Sequence, residues 1–188
     1  YNIDIFGTIA HEWFMYHGAI FGYMVANEWA LRQWAKVFHG YLGIVLPDTY
    51  PTDVFLPAFH IDLAKLFDGP RHDSGNPYDF TDKFVNHYKG LHIDPSTKSI
   101  VFSNSINPQK AFEIQQYCTE SGIPSTFGMG RSLTNDVGSA PLDLVIKMVS
   151  CYSPAYKKWF PACKLSDDLE KNTGLKDTIA TCKQTLQI

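Results

Sequence analysis

Short apolar runs alternate with longer amphipathic stretches along this chain, and most of the runs end in a cluster of polar residues. That alternation is the pattern of βα units feeding a mainly parallel sheet. Strands are expected at Ile3–Phe6, Leu42–Leu46, a short run entering Arg71, Ser99–Phe102, Pro124–Phe127 and Leu142–Val149. The clusters that follow are Gly7-Thr8-Ile9-Ala10-His11-Glu12-Trp13, Pro47-Asp48-Thr49, Arg71-His72-Asp73-Ser74-Gly75, Phe102-Ser103-Asn104-Ser105 and Phe127-Gly128-Met129-Gly130. In such folds the carboxyl ends of the strands share one face, so residues far apart in sequence meet there.

Helical spacing is found over Glu28–Phe38, where Trp29, Leu31, Trp34, Ala35 and Phe38 share a face. Two short helices are expected between Asp53 and Phe67, broken around Pro57, and another over Tyr78–Tyr88 behind Pro77. Pro108–Glu120 has a capping Asn107 before it and Gly122 after it. From Tyr152 to Asp168 the aromatics, prolines and lysines read as irregular or as a small hairpin, and Leu175–Leu186 as a surface helix. The chain therefore divides into βα units over residues 1–150 and an irregular segment with a carboxyl-terminal helix over 151–188.

With 188 residues, 45% of them hydrophobic, the chain can bury a core. A closed (β/α)₈ barrel needs about 250 residues. The chain also starts without Met and runs almost at once into an apolar stretch, so a piece of a larger protein is expected. A net charge of -3 argues against bulk attraction to nucleic acid or membrane. No apolar stretch approaches the roughly 20 residues that span a bilayer. The four cysteines lack metal-like spacing and read as ordinary thiols of a reducing cytosol, hence a cytoplasmic location.

His11, just past the first expected strand, is suited to act as base, ligand or nucleophile, with Asp48 as the carboxylate that orients its ring; the competing reading is a core histidine satisfied by a carbonyl. Its neighbour His17 gives HEWFMYH, which is not a zinc-binding HExxH, and no metal ligand set is assigned. Arg71 offers a rigid fork for phosphate, Asp73 a carboxylate for ribose hydroxyls or a metal ion, and Gly75 close backbone approach, although the same run also reads as a turn. Ser103 and Asn104 supply short hydrogen-bonding groups at another strand end, and read equally as a helix cap. Gly128 and Gly130 bracket a turn whose backbone N–H groups suit phosphate, although by itself it also reads as only a tight turn; it is neither a Walker loop nor a dinucleotide fingerprint. Lys147, within an apolar run, must either point away from a sheet or meet an anion.

Taken in order, these segments resemble the nicotinate phosphoribosyltransferase family. The resemblance runs through Gly7–Trp13, Thr52–Leu56, Arg71–Pro77, Phe102–Ser105, Phe127–Gly130 with Leu133-Thr134-Asn135-Asp136, and Leu144–Lys147, and extends to about Lys171. It implies the later part of an irregular TIM-like α/β barrel, incomplete in this chain. It also implies condensation of nicotinate with phosphoribosyl pyrophosphate, driven by ATP through a phosphohistidine and assisted by Mg2+, for salvage of NAD. By the same resemblance His11 is the phosphorylated histidine and Asp48 its orienting carboxylate. Arg71 and Asp73 then lie near the phosphoribosyl group, Gly128 and Gly130 form the phosphate turn, and a homodimer shares its active site. Three residues depart from the family pattern: Asn76 and Asn104 replace Asp, and Arg131 replaces a small Thr and either clamps phosphate or narrows the site. Two alternatives stay open: transfer to nicotinamide or quinolinate, and an inert phosphoribosyl-binding module, which these three residues suggest.

Overall fold

In the computed structural model of the chain, residues 7–135, 137–140 and 144–188 are described. The expected strand Ile3–Phe6 lies outside them. Two helices come first, α1 (His11–Phe21) and α2 (Tyr23–Phe38), joined at Gly22. A four-stranded parallel sheet follows, made of β1 (Ile44–Val45), β2 (Gly69–His72), β3 (Ile100–Phe102) and β4 (Ser125–Phe127). Its spatial order, β1-β2-β3-β4, is the order in sequence, with Arg71 opposite Val101 and Phe102 opposite Phe127. Thr8 adds a parallel bridge to Ile44, so the segment leading into α1 runs along the outer edge of β1.

The crossovers carry α3 (Thr52–Phe55) and α4 (Ile61–Leu66), then α5 (Pro77–Gly90), then α6 (Pro108–Ser121); α7 (Arg131–Thr134) follows β4. Local chemistry explains their ends. The Asn76 side chain accepts from the amides of Tyr78 and Asp79 and starts α5, with Pro77 fixing the first turn. Asn107 accepts from Lys110 N to start α6, and Gly122, with φ +78°, closes it. The departure at position 76 is thus a good helix cap. Between α4 and the sheet, Lys98 is buried with its ammonium donating to the carbonyls of Lys65 and Phe67, which satisfies the end of α4.

Phe55, Phe59, Phe67, Phe84, Phe102 and Tyr88 fill the space between sheet and helices. Each such ring, fully withdrawn from water, contributes roughly 1.5–3 kcal/mol before entropy costs. Gly69 permits the close approach of β2 to the next crossover: a Cβ there would lie 1.7 Å from the Ser99 carbonyl oxygen.

Beyond the sheet, β5 (Ser150–Ser153) and β6 (Lys158–Pro161) pair as an antiparallel hairpin, the second of the two possibilities for this segment. The chain then runs to α8 (Lys176–Leu186), and a smaller core of Ala26, Tyr50, Cys163, Leu165 and Cys182 ties this segment to α2. All four cysteines are free and buried. The strand expected over Leu142–Val149 is not formed: residues 142 and 143 lie outside the described set, and residues 144–149 are irregular, with Leu144, Val145 and Ile146 exposed. An apolar run becomes a strand only against a partner, and β4 has none on its far side among the described residues. No helix in the described residues is long and apolar enough to cross a membrane.

Candidate active site at the carboxyl ends of the strands

The carboxyl ends of β1, β2 and β3 deliver polar residues to one region, namely Asp48 and Thr49, Asp73 and Ser74, and Ser103 and Asn104. His11 is the first residue of α1, and its side chain is only 3% exposed. Its Nδ1 lies 2.9 Å from Thr49 Oγ1, and its Nε2 lies 3.1 Å from Asp73 Oδ2. Since a carboxylate only accepts, Nε2–H donates to Asp73 and Nδ1 accepts from the Thr49 hydroxyl. Burial holds the His11 pKa below its ordinary value; Asp73 and Asp48 pull it up and Lys164 pushes it down. His11 is therefore a neutral imidazole held at both nitrogens.

The orienting contact expected from Asp48 is not formed. Asp48 Oδ1 is 3.8 Å from His11 Nε2, on the same side of the ring as Asp73, and Thr49 orients the other nitrogen. Asp48 turns its second oxygen to Ser74 Oγ at 2.5 Å and to Lys164 Nζ at 3.6 Å. The backbone explains the exchange: Pro47–Thr49 forms a tight 3₁₀ turn after β1, and it is Thr49 that reaches the imidazole Nδ1.

Asp73 forms the centre of the face. It takes hydrogen bonds from His11 and from Ser103 Oγ (3.1 Å), and Arg71 Nη2 stands 3.5 Å from Oδ2. Burial works to raise its carboxyl, yet the His11 hydrogen bond and the Arg71 charge outweigh it and hold the group well below the usual carboxylate range. Arg71 also donates to Thr8 Oγ1 at 2.7 Å, linking the first segment to β2. Asn104 accepts from Lys171 Nζ at 3.1 Å, and the same ammonium donates to the Asp73 carbonyl. Gly128 packs against Ser103, while Gly130 caps α7 and the exposed Arg131 opens it. Lys147, no longer within a strand, meets Glu12 at 3.5 Å.

Three participants escaped the sequence reading. Thr49 was present in its cluster but had no assigned role. Lys164, 3% exposed, and Lys171 come from the segment after the hairpin. Burial depresses the Lys164 pKa despite the pull of Asp48. The only local signal was a lysine flanked by buried-type residues, Cys163-Lys164-Leu165.

His11, Asp48 and Asp73 also offer ligand atoms within 4.8 Å of one another, and Asp48 Oδ1 is buried without a hydrogen-bond partner. Two carboxylate oxygens suit a hard divalent cation that keeps water or phosphate oxygens in its remaining positions. The donor set therefore fits Mg2+ through Asp48 and Asp73, with the imidazole nitrogen the less suitable ligand.

The nicotinate phosphoribosyltransferase (NAPRTase) family model matches residues 1–188. A nicotinate phosphoribosyltransferase of Desulforapulum autotrophicum is 50% identical over 187 residues, covering 100% of this chain and 48% of that protein. One from Chromohalobacter salexigens is 44% identical over 188 residues, with 48% of its length covered. The crystal structure of the nicotinate phosphoribosyltransferase of Porphyromonas gingivalis superposes with a TM-score of 0.93 at 46% identity, over 98% of this chain and 48% of that one. The chain thus spans about half the length of the relatives it matches, and across that span it belongs to the nicotinate phosphoribosyltransferase family.

Proposed function

We propose that this chain carries the phosphoryl-handling part of an enzyme that joins nicotinate to phosphoribosyl pyrophosphate. The products are nicotinate mononucleotide and pyrophosphate, and ATP hydrolysis is coupled through a phosphohistidine at His11. The observation that carries the reading is the neutral His11, held between Thr49 and Asp73 on the face where four parallel strands end.

The chemistry follows from those contacts. A hydroxyl both donates and accepts, so Thr49 serves either tautomer of His11. When the proton sits on Nδ1 and donates to Thr49, Nε2 presents its lone pair on the side of Asp73, which is 29% exposed. An N–P bond then forms at Nε2 as the P–O bond to ADP breaks, and the proton stays on Nδ1. Arg71, Lys164 and Lys171 supply positive charge to phosphate oxygens around it, and stabilisation of this kind is worth about 10²–10³ in rate per donor. Mg2+ held by Asp48 and Asp73 would neutralise further phosphate charge. Ser103 orients Asp73, and the turn from Gly128 to Gly130 is assigned to the 5′-phosphate of the sugar.

The sequential strand order supports an arc of an irregular TIM-like α/β barrel. Family membership supports nicotinate and phosphoribosyl pyrophosphate as partners; ATP as co-substrate and a homodimer that shares its site belong to the same proposal, as does a reducing cytosol, which the free, buried cysteines support. The test is to incubate the full protein with γ-labelled ATP. An acid-labile, alkali-stable label on His11, absent in His11→Asn together with ATP-coupled turnover, is expected. Undiminished labelling and turnover in His11→Asn would overturn the assignment.

A further inference from the structure

Six residues beyond His11, about 240° round the same helix, α1 carries a second buried histidine. His17 is 2% exposed and sits among aromatic rings: Trp13 at 4.4 Å between centroids, Tyr16 at 5.3 Å and Phe21 at 5.7 Å. Phe21 continues to Trp29 of α2 at 6.1 Å. Between the two helices these rings line a cleft of about 320 Å³, at the small end of the roughly 300–1,000 Å³ that small-molecule sites occupy. Phe21 and Trp29 remain exposed at its rim.

The hydrogen bonding of His17 gives this cleft a polarity. Its Nδ1 lies 2.7 Å from the Trp13 carbonyl oxygen, an acceptor, so Nδ1 carries the proton. Nε2 is then a lone-pair acceptor, and the hydrogen bond of Nδ1 to Trp13 is the one that His17 makes among the described residues. His17 is one of the residues that line the cleft. No aspartate, glutamate, lysine or arginine lines it, and burial lowers the His17 pKa, which keeps the ring neutral. The rings thus favour an uncharged planar ring, by edge-to-face and offset stacking, with His17 Nε2 as an acceptor and the Gln33 amide as the neighbouring polar group.

We propose that the cleft between α1 and α2 binds a small, uncharged, planar heteroaromatic molecule whose ring N–H donates to His17 Nε2. The experiment is calorimetric titration of the full protein with indole and with 1-methylindole, which differ by that donor. Indole should bind about tenfold more tightly, the size of one lost hydrogen bond. His17→Phe keeps an aromatic ring and should equalise the two ligands, while Trp29→Ala should weaken both. Equal affinities in the unsubstituted protein, or no saturable binding of either, would overturn the proposal whether or not His17→Phe folds. A preference for indole that survives in folded His17→Phe would overturn it as well. None of these readouts depends on the activity proposed for His11.

Discussion

Asp73 sets the tautomer that His11 adopts, and the Thr49 hydroxyl, 2.9 Å from Nδ1, satisfies that nitrogen in either one. Thr49→Val removes that partner while keeping shape, and leaves a buried ring nitrogen unsatisfied. A loss of about 1–3 kcal/mol in unfolding free energy is expected from a denaturant titration, with Thr49→Ser restoring most of it. The buried histidines also set a pH signature. In His11, His17 and His72 burial lowers the pKa from the ordinary value of 6.5. Between that value and the lower folded ones the unfolded chain binds more protons, so stability falls as pH drops through this window and is level above it. The urea midpoint should therefore be lower at pH 5.5 than at pH 7.5, and an unchanged midpoint would contradict the neutral-histidine reading. At this scale His11, Asp73 and Arg71 were legible because strand-end polar residues stand out against apolar runs. Thr49 and Lys164 were not, since a threonine in a turn and a lysine in an irregular segment look alike whether solvated or buried.

Among the elements, α5 and α6 were readable from chemistry that acts within four residues, such as Asn107 at one end and Gly122 at the other. Asn76 belongs to the same kind. Asn76→Ala should cost about 1 kcal/mol by thermal or chemical unfolding, whereas Asn76→Asp should stay within a few tenths, since both side chains accept from the first-turn amides. Helix α1 was not foreseen: with Trp13, Phe14, Met15 and Tyr16 in succession it is apolar nearly all round, and no clean periodicity survives. The run from Leu144 to Val149 failed in the opposite sense. Its composition asks for a strand, but strand formation depends on a neighbour that local sequence does not reveal.

For the molecule as a whole, that run leaves apolar side chains exposed, and β4 has a side without a strand partner among the described residues. The 188-residue chain by itself should associate with rising concentration, and joint substitution Val145→Lys and Ile146→Lys should shift it towards the monomer in gel filtration. Elution independent of concentration would contradict this. The site has the same long reach. Ser166 approaches Asp48 across 118 positions, and the Lys171 ammonium meets the Asp73 carbonyl across 98. Contacts of such separation form slowly and only once both partners exist. On a ribosome, His11, Asp48 and Asp73 emerge well before the two lysines that balance their charge. A nascent chain therefore passes through an interval in which Arg71 stands beside Asp73 but Asp48 still lacks its Lys164 partner, until the segment from Lys164 to Lys171 is made.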